Sequence, residues 1–264
     1  MPTNIIHIND VKSSENLCTF CYNHVVMRIA GFLPTTMLDY PGRLACTVFT
    51  CGCNLRCPFC QNGSLVLPAL FEEPLDNEDV LAHIKKRRNI LEGVCITGGE
   101  PTLHATLPDF IRRIKELDLP VKLDSNGSNP AMIKSLYEEK LIDMIAMDIK
   151  AAPSKYAQVC GLKETDMTPY EESVRYIMDC GIEYEFRTTL VKGLHDTTDM
   201  EEIGRWLSGA KAYCLQSYKK SDGVLSIIEG SAERFSTFSD EELGEMLQTV
   251  KKHIPDAFLR YSST

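Results

Sequence analysis

The 264-residue chain has a formal net charge of -9 at pH 7, which opposes non-specific binding to nucleic acid. A basic run, Lys85 to Arg88, follows a helix-like segment and is interpreted as a solvated face. No apolar run approaches the roughly 20 residues that a membrane-spanning helix requires. The eleven cysteines would indicate disulfides only in a short secreted chain, and no signal peptide opens the sequence. We expect one soluble domain in the reducing cytoplasm, with neither nucleic acid nor a membrane as a partner.

The first 26 residues are interpreted as an N-terminal extension, and residues 27–264 as a single domain that includes a C-terminal helix. The extension is either native or the product of an upstream start, and the sequence leaves both open. It contains Cys18, Cys21 and His24. Two thiols and an imidazole could contribute to a metal site, but no fourth ligand lies close by in the sequence.

A cysteine-rich segment follows the apolar, strand-like run from Ala45 to Thr50. Cys53, Cys57 and Cys60 have the spacing Cys-x3-Cys-x2-Cys. Three thiolates can hold a cluster of four irons and leave the fourth iron without a protein ligand. Because Cys51 lies just upstream, a zinc site or a fully ligated, electron-carrying cluster stays an alternative. Structural zinc usually takes its ligands as two separated pairs, so the spacing favours the open cluster.

The next strand-like run, Val94 to Thr97, is followed by Gly98, Gly99 and Glu100. Glycines at a strand end let the backbone approach a ligand closely, and the carboxylate of Glu100 could receive an ammonium group. A tight turn is the simpler interpretation of this tripeptide. Its position one strand after the cysteines favours a role in the same site.

Strand-like runs alternate with amphipathic, helix-like runs along the chain, which predicts parallel strands joined by right-handed crossovers. Beyond the two runs above, strands are predicted at residues 121–124, 144–149, 183–191 and 212–217. The fold class is therefore α/β, and the predicted architecture is an incomplete (β/α)6 barrel. As in closed barrels, functional residues should gather at the carboxyl ends of the strands.

Helix signals lie between and after these strands. Apolar residues from Leu107 to Leu117 recur at helical spacing and mark a stripe that faces the core. Asn129 and Thr168 each precede a proline and are predicted to cap a helix. Ser239 to Glu242 forms a capping box for a helix near the C-terminus, after which residues 256–261 are predicted to add a short strand.

The cysteine triad, with the aromatic Phe59 before its last member, and the later Gly98-Gly99-Glu100 resemble the radical S-adenosylmethionine superfamily. Five further motifs resemble the glycyl-radical-enzyme activating proteins, and above all the anaerobic ribonucleoside-triphosphate reductase activating proteins. These motifs are Leu38-Asp39-Tyr40-Pro41-Gly42, Leu123-Asp124-Ser125-Asn126-Gly127, Ala146-Met147-Asp148-Ile149-Lys150, Glu185-Phe186-Arg187-Thr188-Thr189 and Leu215-Gln216. The resemblance extends from about Met27 to about Gln216.

The resemblance implies that Cys53, Cys57 and Cys60 hold a 4Fe-4S cluster whose open iron binds S-adenosyl-L-methionine. It implies cleavage of this cofactor to methionine and a 5′-deoxyadenosyl radical, with the electron coming from a flavodoxin or ferredoxin. The radical would then take a hydrogen atom from a glycine of a partner, expected to be the anaerobic ribonucleotide reductase. Three alternatives stay open: an activase of a pyruvate formate-lyase-like enzyme, a radical enzyme acting on a small molecule, and a non-catalytic metal-binding or electron-transfer protein.

The resemblance also implies contacts to S-adenosylmethionine. The backbone of Gly98 and Gly99 would lie along its methionine moiety, and Glu100 would lie near its ammonium group. The implied cofactor-binding residues are Phe59, Gln61, Gly98, Gly99, Glu100, Asp124, Asn126, Lys150 and Arg187.

Some of these roles have structural alternatives. Lys150 and Arg187 would meet the cofactor's carboxylate or ribose, or they would form salt bridges at a strand end. Asp39 would face the partner's glycine loop or only shape a turn. His195 would approach the site or be structural. Cys51 stands where the family more often has a polar residue, and we treat it as a non-ligand.

Overall fold

The computed structural model describes residues 27–230 and 235–261 of the chain. These residues form one sheet of eight strands, in which each strand pairs with the next one along the chain. The strands are β1 (Ile29–Thr36), β2 (Ala45–Thr50), β3 (Gly93–Gly98), β4 (Val121–Ser125), β5 (Met144–Asp148), β6 (Glu183–Leu190), β7 (Tyr213–Ser217) and β8 (Phe258–Arg260).

Nine α-helices occur within the same two ranges. They are α1 (Gly63–Val66), α2 (Asn77–Arg87), α3 (Leu107–Lys115), α4 (Pro130–Glu138), α5 (Tyr156–Val159), α6 (Thr168–Asp179), α7 (Thr197–Trp206), α8 (Leu225–Ile228) and α9 (Asp240–Lys251). None of the helices described is long and apolar enough to cross a membrane. The proposed N-terminal extension, with Cys18, Cys21 and His24, lies outside the described residues.

The sheet is an unclosed barrel. β2 to β7 are parallel to one another, with helices between them, and β8 adds a last parallel strand. β1 runs antiparallel to β2, and the two outermost strands, β1 and β8, do not pair with each other. The predicted incomplete (β/α)6 barrel is confirmed, and so is the predicted short strand near the C-terminus.

Apolar strand residues and one face of each longer helix form the core. Ile96, Leu123 and Ile145 are fully buried at the centres of adjacent strands. The stripe predicted for the helix at Leu107 is also buried and packs on the sheet. This core fixes the carboxyl ends of β2 to β6 in one row.

β1 was not predicted from the sequence. It contains Gly31 and Pro34, residue types that are depleted in strands. Pro34 is tolerated because β1 is an edge strand and because the register shifts between Leu33 and Thr36.

Two of the three predicted helix caps are confirmed. Asn129 accepts a hydrogen bond from the backbone N–H of Met132 at 3.2 Å, and Ser239 forms the reciprocal capping box that opens α9. The prediction for Thr168 is wrong, because Thr168 is already the first residue of α6. The side chain of Asp166 accepts from the backbone N–H of Thr168 at 2.9 Å, and this local turn starts the helix one residue early.

Candidate active site

A cavity of about 360 Å3 lies at the carboxyl ends of the parallel strands. Every residue for which the sequence predicts cluster or cofactor binding lines it, and Asp39 does so too. The predicted residues that line the cavity are Cys53, Cys57, Phe59, Cys60, Gln61, Gly98, Gly99, Glu100, Asp124, Asn126, Lys150 and Arg187. The fold therefore gathers segments that are widely separated in sequence around one space.

The cysteine loop, residues 51–62 between β2 and α1, is held by backbone hydrogen bonds. The N–H of Gly52 donates to the carbonyl of Leu65 at 2.8 Å, and the N–H of Cys60 donates back to the carbonyl of Cys57 at 2.9 Å. The carbonyl of Cys60 accepts from Leu225 at the start of α8 at 2.8 Å. These bonds fix a compact turn whose three predicted ligand cysteines line the cavity.

The donor set fits an iron–sulfur cluster. Cys53, Cys57 and Cys60 are largely buried and line a single cavity. Burial raises the pKa of Cys53 to about 11, so the thiol must lose its proton when it binds a metal. In the described ranges, no three His, Cys, Asp or Glu side chains are placed to share a single metal ion. A four-iron cluster does not require this, because each thiolate binds a different iron.

Cys51 is buried and is not among the residues that line the cavity. Its carbonyl contacts the Nε2 atom of His104 at 3.0 Å. This placement agrees with the interpretation of Cys51 as a non-ligand.

The two glycines at the end of β3 are required by the close approach of the end of β2 and the start of the cysteine loop. A Cβ atom on Gly98, whose φ is +119°, would lie 2.3 Å from the carbonyl oxygen of Thr50, and one on Gly99 would lie 2.0 Å from that of Gly52. The N–H of Gly99 donates to Thr50 and the N–H of Glu100 donates to Gly52, both at 2.8 Å. Glycine here lets two backbone segments touch, in addition to exposing backbone to the cavity.

Glu100 joins the loops that follow β3 and β4. Its buried carboxylate accepts from the hydroxyl and N–H of Thr102 at 2.5 and 3.1 Å, from the hydroxyl of Ser125 at 2.8 Å and from the N–H of Asn126 at 2.6 Å. Burial raises the pKa of Glu100, although these hydrogen bonds act to lower it. A carboxylate has about four lone-pair positions, so an ammonium group near Glu100 would share lone pairs that the protein already uses.

A charged network also lines the cavity. Arg187 lies between Asp124, at 3.2 Å, and Asp148, at 2.9 Å. Lys150 pairs with Asp148 at 2.9 Å, and the buried Lys122 pairs with Asp124. Burial alone would raise the pKa of Asp148, but Arg187 and Lys150 outweigh it and hold this pKa well below its usual range. Of the three cations, Lys150 and Arg187 line the cavity and Lys122 does not.

The sequence left two roles open for Lys150 and Arg187, contacts to the cofactor or salt bridges at a strand end. Lys150 and Arg187 form the salt bridges of one interpretation, and both side chains also line the cavity. Asp148 and Lys122 are not among the site residues predicted from the sequence. Asp148 is the last residue of β5, and Lys122 is a charged residue inside the apolar strand β4, and these positions are the signals that could have found them.

His195 and Asp39 differ in their placement. His195 is buried and is not among the residues that line the cavity. Its Nδ1 atom accepts from the N–H of Val191 at 3.0 Å, so Nε2 carries the proton and donates to the carbonyl of Lys150 at 3.0 Å. Burial lowers the pKa of His195, which favours this neutral form. Asp39 lines the cavity, and its carboxylate accepts from the hydroxyl of Thr47 at 2.6 Å.

Phe59 and Gln61 complete the cysteine side of the cavity. The ring of Phe59 meets the imidazole of His195 edge to face, with 6.2 Å between ring centroids. The side-chain amide of Gln61 donates to the carbonyl of Lys219 at 2.5 Å. The cysteine loop is thereby joined to the segments after β6 and β7.

Two relatives extend these observations. A Methanocaldococcus jannaschii protein, provisionally named a glycyl-radical enzyme activating enzyme, is 28% identical over 240 residues, which cover 88% of this chain and 95% of that protein. The 7-carboxy-7-deazaguanine synthase of Hyperthermus butylicus is 37% identical over 112 residues, which cover 41% of this chain and 46% of that enzyme. The chain thus spans nearly all of the first relative but less than half of the second.

Solved structures support the fold. Streptococcus suis SuiB bound to S-adenosylmethionine superposes with a TM-score of 0.60 at 15% identity, over 80% of this chain and 48% of SuiB. The sequence profile of the Radical SAM superfamily matches residues 47–207, which include the cysteine loop and every strand from β3 to β6. The chain therefore belongs to the radical SAM superfamily, whose members use a 4Fe-4S cluster and S-adenosylmethionine.

Proposed function

We propose that this protein is a glycyl-radical-enzyme activating enzyme. The observation that carries the proposal is the cavity itself: among the described residues, only three thiols line it, and the ion-paired cations Lys150 and Arg187 line the same space. Three thiolates leave one iron of a four-iron cluster free, and the network offers donors for an anionic group beside it. The M. jannaschii relative supports the finer assignment, because this chain covers almost all of its length.

In this proposal Cys53, Cys57 and Cys60 hold the cluster. When bound, the reduced cluster supplies the electron that cleaves S-adenosylmethionine to methionine and a 5′-deoxyadenosyl radical. The protein contributes binding, orientation and shielding from water. Lys150 and Arg187 would hold the carboxylate or the ribose of S-adenosylmethionine.

The other cavity residues would orient the cofactor. Gly98 and Gly99 present backbone, and Glu100 would share its carboxylate with the ammonium group. Asn126 lies where the loop after β4 meets the cysteine loop, since its side-chain amide donates to Asn54 at 2.9 Å, and Asp124, on β4, lines the same cavity. Phe59 and Gln61 would limit the space around the bound cofactor. The fixed hydrogen bonds of these residues reduce the reorganisation needed on binding.

The partner would be a glycyl radical enzyme, and the resemblance to the anaerobic ribonucleoside-triphosphate reductase activating proteins favours the anaerobic ribonucleotide reductase. A flavodoxin or ferredoxin in the cytoplasm would supply the electron. Asp39, in the same cavity as the proposed cluster ligands, would face the partner's glycine loop.

The test mixes the reconstituted, reduced protein and S-adenosylmethionine with each glycyl radical enzyme of the host. We expect a glycyl radical signal by electron paramagnetic resonance with the anaerobic ribonucleotide reductase. A partner whose radical-site glycine is replaced by alanine is the matched control and should give no signal. A signal with a pyruvate formate-lyase-like enzyme instead would correct the partner and keep the function.

A radical enzyme acting on a small molecule is the second candidate. The 37% identity to the H. butylicus synthase over 112 residues favours it. Formation of 5′-deoxyadenosine with a small substrate, with no glycyl radical on any partner, would select this candidate and reject the first.

A further inference from the structure

Two polar side chains at the cavity have no role in the proposed function. Thr189, on β6, and Gln216, on β7, line the cavity and are partly buried. Within residues 27–230 and 235–261, neither side chain makes a hydrogen bond. Polar groups that are withdrawn from water are normally hydrogen-bonded. The two side chains are therefore available to a ligand that enters the cavity.

Strand register places the two side chains next to each other. Thr189 and Gln216 are directly paired across β6 and β7, so both lie on the same face of the sheet. Arg187, two residues earlier on β6, shares this face and also lines the cavity. The intervening Thr188 lies on the other face, where its hydroxyl donates to the carbonyl of Ile149 at 2.8 Å. A hydroxyl and a carboxamide thus stand side by side at the cavity wall.

The pair lies toward the unclosed side of the barrel. β7 is next to the edge strand β8, and across the gap β2 is next to the edge strand β1. Phe49, on β2, and Asp39, in the segment before β2, line the same cavity. The cavity is thus lined from both sides of the gap, at which β1 and β8 do not pair. An extended polypeptide can enter at this gap without separating any pair of strands.

The chemistry of the pair suits a peptide group. A carboxamide has both N–H donors and a carbonyl acceptor, and a hydroxyl donates and accepts. A backbone peptide group likewise has one donor and one acceptor. Glycine has no side chain, so hydrogen bonds to a glycine must go to its backbone. The charged groups of S-adenosylmethionine are matched by charged residues in the proposed function, whereas Thr189 and Gln216 are uncharged.

We propose that Thr189 and Gln216 form a subsite for the backbone of the partner's glycine segment. The carboxamide of Gln216 donates to a carbonyl and accepts from an N–H beside the reacting glycine, and the hydroxyl of Thr189 adds a further hydrogen bond. The subsite holds the glycine in the cavity that the proposed cluster and cofactor share. The inference rests on the proposed function, because it concerns the substrate of that same site.

The test measures binding of a peptide that contains the radical-site glycine of the host's anaerobic ribonucleotide reductase. The protein is reconstituted, oxidised and loaded with S-adenosylmethionine, so that no reaction consumes the peptide. Gln216→Met and Thr189→Val remove the polar groups at nearly constant size, and each should weaken binding about three- to tenfold. Gln248→Met is the matched control and should bind as the wild type does, because Gln248 is exposed on α9 and is not among the lining residues.

A second measurement separates backbone recognition from general packing. Two further peptides carry an ester in place of the amide on one or the other side of the glycine, and an ester has no N–H. With the wild type, at least one ester should weaken binding by a similar factor. With Gln216→Met the same ester should cause little further loss, because the variant already lacks the partner of that group. Ester losses that are as large in Gln216→Met as in the wild type would overturn the inference.

The affinity for S-adenosylmethionine separates this subsite from the cofactor site. It is measured by the change that S-adenosylmethionine causes in the electron paramagnetic resonance signal of the reduced cluster. Both variants should keep four irons per chain and the affinity of the wild type. A loss of this affinity as large as the loss of peptide affinity would place the pair in the cofactor site and overturn the inference. If Gln216→Met does not assemble a cluster, Gln216→Ala decides in its place.

The failure of this inference is distinguishable from the failure of the proposed function. A wild type that raises the glycyl radical, together with variants that bind the peptide equally well, would reject the subsite alone. A wild type that raises no glycyl radical on any partner would reject the proposed function and the subsite with it. If the peptide binds too weakly to measure, the KM for the intact partner in radical formation is the readout, and it should rise by the same factor.

Discussion

Replacement of Arg187 by glutamine should destabilise the fold through the two carboxylates that it leaves behind. The side chains of Arg187, Asp124 and Asp148 are 14, 13 and 29% exposed. Removal of one partner from a buried ion pair costs about 3 to 5 kcal/mol when the other charge is left uncompensated. Because Lys122 still pairs with Asp124 and Lys150 with Asp148, we expect a smaller loss of about 2 kcal/mol, or roughly thirtyfold in the folding equilibrium.

Equilibrium unfolding in urea, measured by circular dichroism on the anaerobic apoprotein, checks this value. The slope of unfolding free energy against urea should stay constant while the midpoint falls. Arg113→Gln is the matched control, since Arg113 pairs with Glu78 on the surface, where both side chains are about half exposed or more. Arg113→Gln should lower the unfolding free energy far less than Arg187→Gln does. Equal losses of unfolding free energy in the two variants would refute the reasoning that burial makes the Arg187 network costly to break.

Three further predictions follow from the same contacts. Gly99→Ala should lower the iron retained after reconstitution, because its Cβ atom would overlap the cysteine loop, while Gly244→Ala, in open space on α9, should not. Cys51→Ala should retain four irons per chain, whereas Cys57→Ala should lose most of them. The depressed pKa of Asp148 contributes stability that is complete above the ordinary carboxyl pKa near 4 and is lost as the pH falls toward the folded-state pKa. The unfolding free energy of Asp148→Asn should therefore fall less steeply with acid than that of the wild type.

Each of these predictions has a contradicting result. Full iron content in Gly99→Ala would show that the two backbone segments can separate at little cost. Iron loss in Cys51→Ala equal to that in Cys57→Ala would make Cys51 a ligand. Identical acid profiles for the wild type and Asp148→Asn would show that the charged network does not hold the pKa of Asp148 down.

The sequence predicted the parts of the site that are contiguous along the chain. The triad from Cys53 to Cys60 and the run from Gly98 to Glu100 carry their chemistry in their spacing. The charged network could not be predicted in this way, because it depends on strand register. Asp148 and Arg187 are register partners on β5 and β6, and only that pairing brings their side chains together.

Glu100 is a single residue whose hydrogen-bond partners could not be predicted from the sequence. Its carboxylate suggested a receptor for an ammonium group, and the fold adds Ser125 and Asn126 as donors to the same oxygens. Those contacts cross from the loop after β3 to β4 and the loop that follows it, which propensity and periodicity do not reveal. The edge strand β1 was missed because Gly31 and Pro34 are residue types with low strand propensity. In the structure, pairing with β2 outweighs that low propensity.

In the proposed function this protein takes a hydrogen atom from a glycine of a partner enzyme. Its test supplies the partner with deuterium at the α-carbon of its glycines and measures the mass of the 5′-deoxyadenosine that forms. We expect 5′-deoxyadenosine that carries one deuterium, formed together with the glycyl radical. Unlabelled 5′-deoxyadenosine from the same mixture, with the deuterium still on the partner, would contradict the proposed function.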